Sequence, residues 1–244
     1  MNIIVMGKPG SGKSEMVRHL TSFLTARGFE ISLLSDRLGL EEAILMDTRD
    51  APIAQDGSQT GPHSKLIDGS RPAGQKQIHV LDGTLLNRVH EEMIASMRIL
   101  QRKNGKKVVL AEYAIGPDIS FGEEKEPLLQ DARHLVDHLE VFEVTGATLV
   151  IDVEAQLGSR VIREARRPDA MAPETFQKYF PDGGEMTEAD AHRLGDHYRQ
   201  LNNGGDDLGI FYQEARDIFE TFLFPHLTVE GNPSKIEKSS RKEM

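Results

Sequence analysis

The chain contains no cysteine, so disulfides and thiolate-held metals are excluded, which fits a reducing compartment. Positive charge is scarce: 29 Lys and Arg stand against 39 Asp and Glu, a formal net charge of −10. That balance opposes non-specific binding to nucleic acid or to an anionic membrane, both of which attract basic surfaces. No apolar run approaches the roughly 20 residues that span a bilayer. The first residues also lack a basic stretch leading into a hydrophobic one, and "IIVM" is too short for a signal core. The expectation is a soluble, cytoplasmic protein with no membrane partner. Metal-binding histidine patterns are missing too. His134 and His138 lie four apart, yet no H-E-x-x-H or third ligand accompanies them. Internal repeats and heptads are absent.

What is present is an alternation of short β-type runs and amphipathic helices over 244 residues. "NIIVM" reads as a buried strand, followed by a glycine-rich loop and a helix with Met16, Val17, Leu20, Phe23 and Leu24 on one face. Gly28 is suited to end that helix in a left-handed conformation. "FEISLLSD", "IHVLD", "KKVVLAE" and "ATLVID" read as four further strands. Helices are expected over about 85–100, 127–140, 156–166 and 208–222. Strand–helix alternation implies right-handed βαβ units, which gather the carboxyl ends of parallel strands on one edge. The predicted fold is thus α/β, a three-layer sandwich around a parallel five-stranded sheet. One domain is expected over 1–230. Residues 48–77, rich in Gly, Pro, Asp and Ser, form a flexible insertion or flap. Residues 166–205 form a lid region, and 231–244 a frayed tail.

Residues 7–14 read GKPGSGKS, the phosphate-binding pattern G-x-x-x-x-G-K-[ST]. Gly7, Gly10 and Gly12 let the backbone turn tightly and present several N–H groups to one anion. The following helix directs its positive dipole end at the same point. Lys13 can bridge the terminal phosphates of a nucleotide and Ser14 can bind Mg²⁺; Lys8, Pro9, Ser11 and Glu15 complete the expected nucleotide-binding stretch. Strands end in Asp36, Asp82, Glu112 and Asp152. Acids also end strands simply because strand ends meet water, but on this edge they converge on the phosphate loop. Asp82 and Glu112 both follow apolar runs and are the candidate metal ligands, Glu112 the favoured of the two.

Arg160, Arg163, Arg166 and Arg167 cluster on the helix after "ATLVID". Phosphoryl transfer spreads charge that guanidinium groups neutralise, which assigns Arg163 and Arg167 a catalytic part. The same cluster also fits a solvated basic helix face supported by Glu164. Tyr113 and Phe121 either stack on a base or belong to the core.

With loop, strand-end acids and arginines in place, the chain resembles the P-loop kinases of nucleosides, nucleoside monophosphates and other small molecules. "VVLAEY" is similar to the strand that ends in an acidic–Arg motif in thymidylate and deoxynucleoside kinases, but Tyr113 stands where that arginine is expected. The resemblance implies ATP and Mg²⁺ as cofactors and a small-molecule acceptor such as a nucleoside or nucleotide. It further implies that Asp36 orients or deprotonates the attacking hydroxyl. The alternative is an NTP-hydrolysing switch or assembly factor acting on a protein partner, with 48–77 as its switch segment.

Overall fold

The central strand, β1 (Asn2–Gly7), is buried along its whole length. It pairs in parallel with β5 (Lys107–Ala114) on one side and β6 (Thr148–Glu154) on the other. The sheet is completed by β2 (Glu30–Ser35) outside β5 and β7 (Tyr198–Asn202) outside β6, giving five parallel strands in the order β2-β5-β1-β6-β7. This computed structural model describes residues 1–49, 61, 64–66, 79–81, 83–103, 107–115, 132–167, 170–204 and 208–223.

Both faces of the sheet are covered, which is why the central strands are continuous apolar runs instead of alternating ones. Ile4, Met6, Val109, Ala111, Tyr113 and Val150 face α3 (Gly83–Lys103) and α4 (Ala132–Val141). Ile3, Val5, Val108, Leu110, Ile151 and Val153 face α1 (Lys13–Ala26) and α8 (Leu208–Ile218). A two-residue alternation on each strand thus builds two cores. Each fully buried Leu, Ile or Phe in them contributes about 2 kcal/mol. Gly28, at φ 81°, ends α1, and the N–H of Phe29 reaches back to Leu24 O at 3.2 Å, closing a Schellman turn.

The expected five-stranded parallel sheet is present, with one change of membership. "IHVLD" lies outside it: β4 (His79–Leu81) pairs antiparallel with β3 (Ser64–Leu66) in a separate two-stranded ribbon. The fifth place belongs to β7, within the stretch expected as lid. That stretch also holds α6 (Pro173–Tyr179) and α7 (Glu188–Leu194). α6 packs through Phe176, together with Met171 just before it, onto Leu157 and Val161 of α5 (Leu157–Ala165). α2 (Asp36–Thr48) leans on α3 through Ala43 and Val89. Most of 48–77, together with Asp82, Phe121 and 231–244, lies outside the described residues. Among the described residues no helix is long and apolar enough to cross a membrane.

Register places the chemistry. Val5 of β1 is level with Glu112 and Met6 with Asp152, while Ser35 is level with Glu112 on the other side. Strand ends, phosphate loop and the start of α2 therefore share one edge beside β1, where the chain passes from the β2/β5 side of the sheet to the β6/β7 side. That is where open α/β sheets bind ligands.

Candidate active site

The loop between β1 and α1 depends on its glycines. Gly7 has φ 148°, and a Cβ there would lie 2.5 Å from Val153 O. Gly12, at φ 107°, precedes Lys13 with the Asn203 amide where its side chain would be. A side chain at Gly7 would meet strand backbone, and one at Gly12 would have to displace the Asn203 amide. The Ser11 N–H closes a turn onto Lys8 O at 3.1 Å, and Met16 N–H onto Gly12 O at 3.0 Å starts the helix. Lys13 folds back so that Nζ donates to Lys8 O at 3.1 Å. Burial pulls the Lys13 ammonium below its ordinary range; Asp36 and Glu112 act in the opposite sense, and Arg160 and Arg167 add to the lowering. The Ser11 hydroxyl is buried with no hydrogen-bond partner.

Ser14, in the first turn of α1, donates its hydroxyl to Glu112 Oε1 at 2.7 Å. Two oxygen donors from separate elements thus meet beside the loop. Asp36 is buried and accepts the Ala114 N–H, with His90 Nε2 3.8 Å from the same carboxylate oxygen. Tyr113 is fully buried with its ring 4.0 Å from that of His90, so it belongs to the core.

Asp152, 1% exposed, accepts from the Tyr198 hydroxyl at 3.1 Å through Oδ2, while Oδ1 has no partner. Burial, and after it the charge of Glu154, pushes the Asp152 carboxyl up to about 7. Burial and then Asp152 push the Tyr198 phenol up as well.

The arginines divide into different tasks. Arg160 is wholly buried and donates to Phe180 O (3.0 Å), Pro181 O (3.3 Å), Pro9 O (3.4 Å) and Asp182 Oδ1 (2.8 Å). It ties the phosphate loop to the 180–182 segment. Arg163 donates to Gly10 O (3.3 Å), Ser11 O (3.2 Å) and both oxygens of Asn203. Its guanidinium braces the loop from behind. Arg167, 60% exposed, bonds Glu164 at 3.0 Å. Lys8 is paired with Glu185 and lies 3.5 Å from Asp182.

Four contributors carry weak or no signal in the sequence. Arg160 was visible only as one of four clustered arginines. Asn203, whose Nδ2 donates to Ser11 O at 2.7 Å, sits in a glycine-rich turn that carries no distinguishing signal. The acids at 182 and 185 lay in what reads as loop. Glu15, for its part, bonds Arg18 and Tyr212 on the outer side of α1.

No family model and no curated protein matches the chain. Among solved structures, a Janibacter sp. sugar kinase in unliganded form is 11% identical, with 93% of this chain and 96% of that one covered and a TM-score of 0.49. A shikimate kinase from Acinetobacter baumannii, in complex with shikimate, is 13% identical over 92% and 93%, with a TM-score of 0.42. A thymidylate kinase from Candida albicans is 11% identical over 90% and 91%, with a TM-score of 0.41. Likenesses this remote say nothing of substrate. On its own strand order, with a glycine phosphate loop leaving the central strand into α1, the chain has the three-layer α/β architecture of a P-loop kinase-like fold.

Proposed function

We propose that this protein is an ATP- and Mg²⁺-dependent phosphotransferase acting on a small-molecule acceptor. The observation that carries this reading is the 2.7 Å contact between Ser14 Oγ and Glu112 Oε1, beside a loop whose lysine is buried in the field of Asp36 and Glu112. The residues suit the cofactors. Gly7 and Gly12 leave the loop without side chains where an anion must approach the backbone amides. Ser14 and Glu112 are the oxygen donors a hard divalent ion requires.

Bound Mg²⁺ would neutralise charge on the β- and γ-phosphate oxygens. Lys13, buried away from water, would hold the same oxygens with a charge that burial makes stronger. Asp36, fixed by the Ala114 N–H, orients the acceptor hydroxyl. The hydroxyl oxygen bonds to the γ-phosphorus, the bond from that phosphorus to the β–γ bridging oxygen breaks, ADP leaves, and the hydroxyl proton passes to Asp36. Arg167 is exposed, bound only locally, and near enough to depress Lys13; it is the arginine suited to offset charge on the transferring group. Arg160 and Arg163 act through the loop they hold.

One observation favours a second reading, the NTP-driven switch acting on a protein. Leu38, Leu45 and Met46 are exposed at helical spacing on α2. The two readings separate in one assay. ATP turnover is measured with small-molecule acceptors and, separately, with protein fractions. The kinase reading expects at least about tenfold stimulation by one small molecule, with the phosphorylated product visible by phosphorus NMR. Turnover that only a protein raises, with free phosphate as the product, would refute it.

A further inference from the structure

Among the described residues of α3, Leu86, Val89, Met93, Ile94 and Met97 form a buried stripe at helical spacing. His90 lies on the same stripe, four residues from Leu86, and is only 1% exposed. A leucine would fill that place with no polar atom to satisfy. Instead, Nε2 of His90 is buried without a hydrogen-bond partner. Buried polar atoms left in that condition are costly and rare, so packing alone does not account for a histidine here.

The account lies across the helix interface. The His90 ring rests 4.0 Å from that of Tyr113 on β5, and its Nε2 is 3.8 Å from Oδ2 of Asp36, the first residue of α2. Among the described residues Asp36 is the one carboxylate within 4 Å of the His90 ring nitrogens. Glu91, next along α3, turns to His138 of α4 instead, at 3.7 Å. The Ala114 N–H bonds the same Oδ2, so among the described residues both close polar contacts of Asp36 fall on one oxygen. Oδ1 is left to meet an acceptor. After burial itself, Asp36 is also the strongest influence on the Lys13 ammonium, which sets its carboxylate beside the phosphate loop.

We infer that His90 is a positioning residue for Asp36: its Nε2–H closes onto Oδ2 as the site fills and, with the Ala114 N–H, fixes the carboxylate so that Oδ1 faces the attacking hydroxyl. The inference rests on the phosphotransferase reading and goes beyond it by naming what aims the proton acceptor. Beside a carboxylate the ring hydrogen belongs on Nε2, because a lone pair there would face those of the oxygen. The 3.8 Å contact is about 1 Å longer than a hydrogen bond. Such contacts in empty active sites tighten in the complex with substrate. When the hydroxyl proton passes to Oδ1, Oδ2 becomes a carbonyl oxygen and still accepts both N–H groups, so His90 neither gains nor loses a proton. It acts on geometry, where a small misplacement of a reacting group costs a large factor in rate.

Two measurements on the full chain with Mg²⁺ test this. The first is nitrogen-15 NMR of the histidine rings with a non-hydrolysable ATP analogue bound, which needs no change at His90. The ring should be the Nε2–H tautomer, and Asp36→Asn should shift its Nε2 resonance; the Nδ1–H tautomer, or no shift, would overturn the inference. The second is ATP hydrolysis, in which water takes the place of the acceptor hydroxyl. His90→Phe keeps a flat ring without the N–H and should lower kcat about tenfold, with KM for ATP within about twofold. His90→Gln, whose side-chain amide can donate in place of Nε2, should return kcat to within about threefold of the original. In an Asp36→Asn background His90→Phe should cost no more than about twofold, because it acts only through that carboxylate. A histidine that merely fills space would instead give similar losses in both backgrounds and no rescue by glutamine. That pattern, or an undiminished kcat in His90→Phe, overturns the inference and leaves the phosphotransferase reading standing. Where hydrolysis is too slow to follow, the ring spectra decide alone. If the analogue does not bind at all, the phosphotransferase reading falls and takes the inference with it.

Discussion

Arg160→Met tests how the phosphate loop is held. The guanidinium makes two hydrogen bonds of normal length, to Asp182 Oδ1 at 2.8 Å and Phe180 O at 3.0 Å, and two long ones, to Pro181 O and Pro9 O. From a charged donor the first two contribute about 1.5 kcal/mol each, and the long pair together about 0.5–1. Removing a fully buried charge whose Nε has no partner returns about 1 kcal/mol of desolvation. The abandoned Asp182 is 59% exposed and rehydrates, so no charge is stranded. The net loss is about 2–3 kcal/mol, which for a chain of this size lowers Tm by roughly 5–10 °C. Methionine keeps an apolar stem of similar length beside Gly10. Arg160→Lys, with a charge but no planar fork, should fall between. Thermal unfolding followed by circular dichroism gives the number. An Arg160→Met protein melting within about 2 °C of the original would refute the idea that this residue ties the loop to the 180–182 segment.

Three other perturbations have expected outcomes. The Asp152 carboxyl titrates near 7 in the fold against an ordinary value of 3.8, so between these the folded state holds a proton that the unfolded state has released. Stability should fall as pH rises from about 4 to about 7, by up to roughly 4 kcal/mol, and stay flat above. Urea titrations at both ends should show the difference between the original and Asp152→Asn widening with pH; parallel curves would contradict it. Gly7→Ala puts a Cβ 2.5 Å from Val153 O at φ 148° and should cost about 2–4 kcal/mol together with most nucleotide affinity. Gly28→Ala, at φ 81° with nothing within 4 Å, should cost about 1 kcal/mol and leave affinity unchanged; equal losses in the two would overturn the assignment. Asp36→Asn keeps an acceptor for the Ala114 N–H and should cut phosphoryl transfer about 100-fold while ATP affinity changes less than about threefold. An equal loss in both would make Asp36 a metal ligand instead.

Much of this architecture is legible in the residues. The spacing of Gly7, Gly12, Lys13 and Ser14 specifies the loop because few backbones can bring successive amides to one anion. The apolar runs of β1, β5 and β6 are long enough to demand burial on both faces. Other parts are not legible, for physical reasons. β7 reads YRQLN, and as an edge strand it buries only Leu201 fully, so no apolar run announces it. The run "HVL" is apolar enough for a core strand, yet its neighbours decide its partner, and β4 pairs with Ser64–Leu66. Arg160, Arg163 and Arg167 follow a helical repeat, but the repeat does not say which faces the loop. Arg160 is buried and Arg167 is mostly exposed only because α5 lies against Pro9 and Gly10 on one side and water on the other. Asn203 matters through contacts 192 residues away in sequence, which no local pattern records.

The central claim is that the loop from Gly7 to Ser14 grips a triphosphate with a divalent ion shared by Ser14 and Glu112. Titration calorimetry of ATP into the full chain, with Mg²⁺ and then with chelator, tests it most directly. The expected result is saturable binding that weakens at least about tenfold without the metal and disappears in Lys13→Ala. Absence of binding to ATP in magnesium buffer, or equal affinity in Lys13→Ala, would contradict it.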